Sequence, residues 1–199
     1  MLYEAIRILL AAIFFFLGWL IIVKIKPKRK MSWIIGESIV SFGLCIALTF
    51  VPIEQGIVTF STPQQAYHYS RLYPVEVIVE GKETTLVIGK NQTSENPQII
   101  PKVGDRWGVT YPLETTFEMN VFDGFLVTVF QYKDSDEYYI SVEGAVEQIE
   151  SIEDNVGTEF LRFDEQNQPR YFAYVPSLDQ NYALTVNGQT IAINEGDRS

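Results

Sequence analysis

Two long apolar runs open the chain, and short stretches of alternating apolar and polar residues fill the rest. Residues 8–23 are an unbroken apolar run, which as a helix would rise about 24 Å at 1.5 Å per residue. That is slightly short of a hydrocarbon core of roughly 30 Å, so residues 5–7 extend the run at one end, and Arg7 and Lys24 reach for headgroups. A second run covers residues 32–51 and stops at Pro52. The pattern predicts a helical hairpin over residues 1–53, with membrane spans at about 5–23 and 32–51 and a loop at 24–31. The second run has no small-x-small cleavage site after it, and Leu44 before Cys45 lacks the small residue of a lipoprotein site, so it reads as a retained helix.

Beyond residue 53 the period shortens. Thr62-Pro63-Gln64-Gln65 has the form of a helix start, with Thr62 as N-cap, Pro63 at the first helical position and Gln65 completing a capping box; the helix should end before Pro74. Val75, Val77 and Val79 alternate with Glu76 and Glu80, and Gly81-Lys82 turns the chain into a strand at 84–89. Asp123-Gly124 joins strands at 117–122 and 125–133, and Asp134-Ser135-Asp136 leads into 138–149. A polar turn at 164–169 separates 160–163 from 171–175. Asn187-Gly188, a pair that tolerates positive φ, closes a hairpin of 182–186 with 190–193. About ten short strands separated by turn signals predict a membrane-anchored, mainly β chain: an antiparallel β sandwich or open barrel over 54–199, with one short helix.

Charge divides at the same boundary. Residues 1–53 carry six basic and two acidic groups, residues 54–199 nine and twenty-three. Five of the basic groups, Lys24, Lys26, Lys28, Arg29 and Lys30, lie between the apolar runs. Short basic loops stay on the cytoplasmic side, which sets an expected location in the cell membrane, with both termini and the 54–199 domain extracellular. Trp19 and Trp33 then fall near the cytoplasmic interface. An acidic outer domain excludes nucleic acid as a partner, because the phosphate backbone would repel it. Cys45, in the second apolar run, is the one cysteine, so the outer domain has neither disulfide nor thiol nucleophile. The sequon Asn91-Gln92-Thr93 reads as a polar loop.

The Thr62-Pro63-x-x-Ala66-Tyr67 helix start within residues 60–69, the hairpin at 125–142 with its Gln131-Tyr132-Lys133-Asp134-Ser135-Asp136-Glu137-Tyr138-Tyr139 centre, and the closing strands at 182–193 resemble small two-helix-anchored surface proteins of low-GC Gram-positive bacteria. These motifs are structural and cover about a third of the chain. The family has no assigned activity, so the resemblance implies an anchor and a β-rich outer domain and transfers no functional residue.

Candidate chemistry is sparse. Glu37 lies inside the second apolar run, where an unpaired carboxylate costs several kcal/mol. It either reaches Arg29 or Lys30 at the cytoplasmic end or faces a membrane partner. Gly36 and Gly43, with Ser32, form a face of small residues beside it, and Ala11 and Gly18 form another on the first helix; such faces let helices approach closely. The one histidine, His68, excludes multi-histidine zinc sites, and no glycine-flanked serine elbow accompanies it. Asp134, Asp136 and Glu137 alternate as hard-cation ligands do, but lack the glycine and distal glutamate of an EF-hand. No cofactor is expected. The partners expected are the lipid bilayer and a membrane or surface protein. The leading expectation is an extracellular interaction module without catalysis: an accessory subunit, sensor or immunity-type protein. A cation- or glycan-binding module and a carboxylate-dependent surface hydrolase are the alternatives.

Overall fold

The computed structural model describes residues 2–25, 30–50, 57–90, 95–110, 114–122, 124–133, 135–144, 149–165, 168–178 and 181–193, with the backbone alone at 2–7, 25, 30, 45, 47–50, 117, 120, 122, 165 and 168. Lys26, Lys28, Arg29, Pro52, the 91–93 sequon, Asp123 and Asp134 lie outside the described residues.

The two apolar runs are helices, α1 (Leu2–Ile25) and α2 (Lys30–Phe50). They pack side by side through Ala11, Gly18 and Ile22 of α1, and through Ile34, Glu37, Ser41 and Leu44 of α2, the less exposed positions on each helix. The 3-4-3 spacing on α2 is one helical stripe. The rest of both surfaces stays apolar and exposed, including Ile8, Phe16, Ile21, Trp33, Ile39 and Phe42. The helices overlap the two expected runs, 5–23 and 32–51, with different ends. The expected spans are not matched in reach, since among the described residues no helix is long and apolar enough to cross a membrane.

The short helix α3 (Pro63–Ser70) starts as the sequence predicts. The Thr62 hydroxyl oxygen accepts from Gln65 N at 3.3 Å. The reciprocal bond is displaced by one residue, because Gln65 Oε1 accepts from Ser61 N at 3.3 Å rather than from the N-cap itself.

The rest is antiparallel β structure in three sheets. Strands β1 (Thr59–Phe60), β2 (Val75–Glu80), β3 (Thr84–Lys90), β4 (Glu95–Val103) and β5 (Arg106–Gly108) form the first, in the order β1-β5-β4-β3-β2. The second is β10 (Leu161–Glu165), β11 (Gln168–Val175), β8 (Tyr138–Gly144), β7 (Phe125–Tyr132) and β6 (Thr115–Phe122), in that order. The third joins β13 (Gln189–Ala192), β12 (Ala183–Val186) and β9 (Ile152–Asp154).

Alternating side chains stack these into layers. Val77, Val79, Leu86 and Ile88 of the first sheet meet Phe130, Tyr139 and Phe172 of the second, the core of a β sandwich. The opposite face of the second sheet, with Phe125, Val127, Ile140 and Val142, packs on Leu184, Val186 and Ile191 of the third. On the outer side of the first sheet Val87, Ile100 and Trp107 receive Ala66 and Tyr67 of α3. The middle sheet is therefore covered on both faces.

Two strand expectations need correction. The turn proposed at 164–169 is shorter, because Asp164 pairs with Pro169 and Glu165 with Gln168, so both strands run into it. Strand β4 lies where no strand was expected, and it carries Pro97 and Pro101, residues that are rare in inner strands. Its hydrogen-bond parity explains the tolerance. Lys102 N donates to Glu83 O on the β3 side at 2.8 Å, whereas Ile99 N turns the other way, to Thr115 Oγ1 at 2.9 Å. Odd positions of β4 thus point their N–H groups away from β3, and the prolines occupy two of them.

Candidate functional site

Glu137 joins the first two sheets. It precedes β8, is only 7% exposed, and faces the β2–β3 turn. Its Oε1 accepts from Glu83 N at 2.8 Å and from the Tyr174 hydroxyl at 2.6 Å, and its Oε2 accepts from the Thr84 hydroxyl at 2.6 Å. With the Thr84 proton so committed, the Tyr139 hydroxyl, 2.8 Å away, donates to Thr84 Oγ1. Gly81 admits these phenols: a methyl there would strike the Tyr139 hydroxyl and the Tyr174 ring. Lys102 Nζ fixes the same turn by donating to Gly81 O at 3.0 Å and Lys82 O at 3.1 Å.

Electrostatics follow from those contacts. Burial pushes the Glu137 carboxyl up, but bonds from Thr84, Tyr174 and the Glu83 and Lys82 backbone outweigh it and hold the group below the usual carboxylate range. Burial and then the bond to Glu137 push Tyr174 up to about 12. Tyr139 is pushed up mainly by burial. In the third sheet Asp154 is held down in the same way against its burial, by Thr158, Tyr182 and the Val156 backbone. Both shifted carboxyls are thus held down, while a general acid needs one held up.

Two of the three metal-ligand candidates, Asp136 and Glu137, are described. Glu137 has donors on both oxygens, which a cation would have to displace; Asp136 is exposed, and Asp134 lies outside the described residues. Among the described residues no group of three or more His, Cys, Asp or Glu could hold a metal ion. His68 is exposed on α3, its ring edge-on to Tyr67 at 5.8 Å.

One ionic cluster escaped the sequence. Arg170 on β11 is buried against Glu95 of β4, with Glu143 of β8 3.7 Å from its Nε and the Phe172 ring 5.0 Å below its guanidinium. It closes one end of the sandwich beside a cavity of about 230 Å³ bounded by Glu76, Phe163 and Asp164. The misplaced turn hid it, because Arg170 was counted next to a loop rather than inside a strand that faces the first sheet.

In the hairpin the Glu37 carboxylate lies on Gly18 of α1, where a methyl would collide with it. Its Oε1 is buried with no hydrogen-bond partner among the described residues. The groove there, about 490 Å³, is lined by Phe14, Leu17, Ile21, Ile22 and Trp33. Ser41 Oγ, one turn on, is also buried and unpartnered. The small faces divide: Gly18 and Ala11 serve the α1–α2 contact, whereas Gly36 and Gly43 turn away from it, with nothing within 4 Å of where a side chain would begin. A shallow groove of about 360 Å³ follows Ser32, Gly36 and Val40 on that open side. Of the basic loop, Lys24 is exposed in the last turn of α1 and Lys30 opens α2. Compared with known protein families, curated proteins and solved structures, the chain matches none.

Proposed function

We propose that this chain is a membrane-anchored extracellular interaction module, an accessory subunit, sensor or immunity-type protein, held by its helical hairpin and working without catalysis. The observation that carries the reading is the hairpin surface: α1 and α2 expose Ile8, Phe16, Ile21, Ile39 and Phe42 on sides that do not touch each other. Water opposes so large an apolar surface, and a bilayer removes the cost. By backbone length alone the helices, 24 and 21 residues, would rise about 36 and 31 Å against a core of roughly 30 Å, although their described apolar part falls short of a crossing. With the basic loop cytoplasmic, the β-rich domain lies outside.

Glu37 and the open Gly36–Gly43 face support a role in assembly. A carboxylate oxygen buried without a donor is a standing cost that a partner helix bearing a donor would remove. The cation-binding and hydrolase alternatives draw less support, since the Glu137 oxygens are occupied by protein donors and the shifted carboxyls are both held down.

Two measurements on the full chain test this. It should remain with membranes through alkaline carbonate extraction, while protease added to intact cells removes the domain beyond residue 60; release into the supernatant refutes the anchor. Purification from native membranes should then recover a partner whose yield falls with Glu37→Gln at unchanged insertion. Equal yield from both forms removes Glu37 from the proposal.

A further inference from the structure

Strand β6 is the unguarded edge of this fold. The first sheet ends in β1, two residues long, and in β2, which carries a register shift between Val75 and Val77 together with Glu76 and Glu80. The second sheet ends on one side in β10, with Arg162 and Asp164, and the third in β9 and β13, three and four residues long. Short, bulged or charged edges resist adding another strand. On the other side of the second sheet, β6 runs eight residues in unbroken register with β7, without proline or lysine and with Glu118 as its one charged residue. Among the described residues it pairs with β7 alone. Met119 is 56% exposed there and Val121 72%.

Parity shows which backbone groups are offered. Lys133 N donates to Glu114 O at 2.9 Å, which places the even positions of β6 on the β7 side. The odd positions then direct their N–H and C=O outward. Thr115 lies near β4, whose Ile99 N it binds, so the open edge begins after it and includes 117, 119 and 121. Immersion in lipid would leave those groups without partners; another strand would satisfy them.

We propose that a second copy of this chain adds there, its β6 antiparallel to the first about a two-fold axis through Met119. In that register Met119 faces its own copy, residue 117 faces Val121, and every facing pair at the open edge joins outward-directed groups on both strands. Glu118 faces Asn120 of the second copy. Centring the axis one residue earlier would set Glu118 against Glu118, a like-charge pair that opposes it. The result is a continuous sheet of ten strands through the dimer. Both outer domains are acidic, so the contact tightens as salt rises and screens their repulsion; capture of a cationic partner would weaken instead.

The test uses the full chain in membranes with Cys45→Ser as background. Cysteine at 119 would stand about 5.5 Å, Cα to Cα, from its copy, within disulfide range, while cysteine at 121 would face residue 117. Mild oxidation should cross-link Met119→Cys and leave Val121→Cys monomeric, although 121 is the more exposed site. Adding Val121→Pro, which removes an outward N–H and no bond to β7, should abolish the Met119→Cys cross-link with the monomer fold, read by circular dichroism, unchanged. Equal or stronger cross-linking at 121, no cross-link at either site, or a mixed disulfide with a different protein at 119 overturns the proposal.

Discussion

Replacing Glu137 tests how the two sandwich sheets are joined. Glu137→Ala deprives three donors at once: Glu83 N–H, the Tyr174 hydroxyl and the Thr84 hydroxyl. Thr84 can turn to Tyr139, 2.8 Å away, but that frees the Tyr139 proton, so three donors are still left over. Each orphaned donor costs about 1–3 kcal/mol. Tyr174 is half-exposed and recovers part of its share from water, which sets the expected loss at about 3–7 kcal/mol. Glu137→Gln keeps an oxygen on Glu83 and Tyr174 and sets its amide against Thr84, whose proton then passes to Tyr139 and frees the proton there. It loses the charge-assisted part of the bonding and leaves one donor over, about 2–4 kcal/mol. The pH dependence has a fixed sign. The folded carboxyl titrates below its unfolded value, about 4.3, so its stabilisation is present above that value and is lost as pH falls through the lower, folded one. The assay is urea unfolding of the full chain in detergent, with Trp19 and Trp33 replaced by Phe so that buried Trp107 reports alone. A loss under about 1 kcal/mol for Glu137→Ala, a greater loss for Gln than for Ala, or a wild-type advantage over Gln that persists unchanged to the acid limit would refute the reasoning.

Three further outcomes are expected. With Trp33 as the sole tryptophan, Gly18→Val should shift its emission by forcing the Glu37 carboxylate out of the α1–α2 groove, whereas Gly36→Val should not; equal shifts would disprove the split of the small faces. Gly89→Ala should cost about 1–3 kcal/mol because its methyl meets the Tyr67 ring and hydroxyl, and a double-mutant cycle with Tyr67→Leu should show coupling of at least about 0.5 kcal/mol; additive losses would count against the contact. Thr62→Ala should destabilise by about 1 kcal/mol through the lost N-cap, with Thr62→Ser nearly neutral in the same melt; matching losses for both would show that the hydroxyl is not the cause.

Local chemistry was legible wherever one residue decides one turn. Thr62-Pro63 started α3, and Asn187 and Gly188 adopt φ of 50° and 80° in the closing hairpin as their pairing requires. Edges and inner strands were harder, because parity rather than composition makes Pro97 and Pro101 acceptable in β4. Of the third sheet only β12 and β13 were read as strands, and not as a separate layer, since a run such as Tyr138–Val142 gives no alternation when both faces are buried. Among the candidate sites, Glu137 was noticed only as a carboxylate in an acidic run, because its partners, Glu83, Thr84 and Tyr174, are remote in sequence. For Glu37 the sequence supplied the residue, and only the packing of α1 supplied Gly18 as its seat.

The double coverage of the middle sheet has a consequence for how this chain can change. Along β2 burial alternates, so substitutions should be tolerated at every second residue; along β8 five consecutive residues are buried, and tolerance should have no period. A map of permitted substitutions would therefore show a rhythm along β2 that falls silent along β8. Sequence drift is confined to hairpin tips, to strand edges and to the part of the first sheet's outer surface that α3 leaves open. New recognition on this scaffold would arise by lengthening a loop or recolouring an edge, because the middle sheet has no face left to offer.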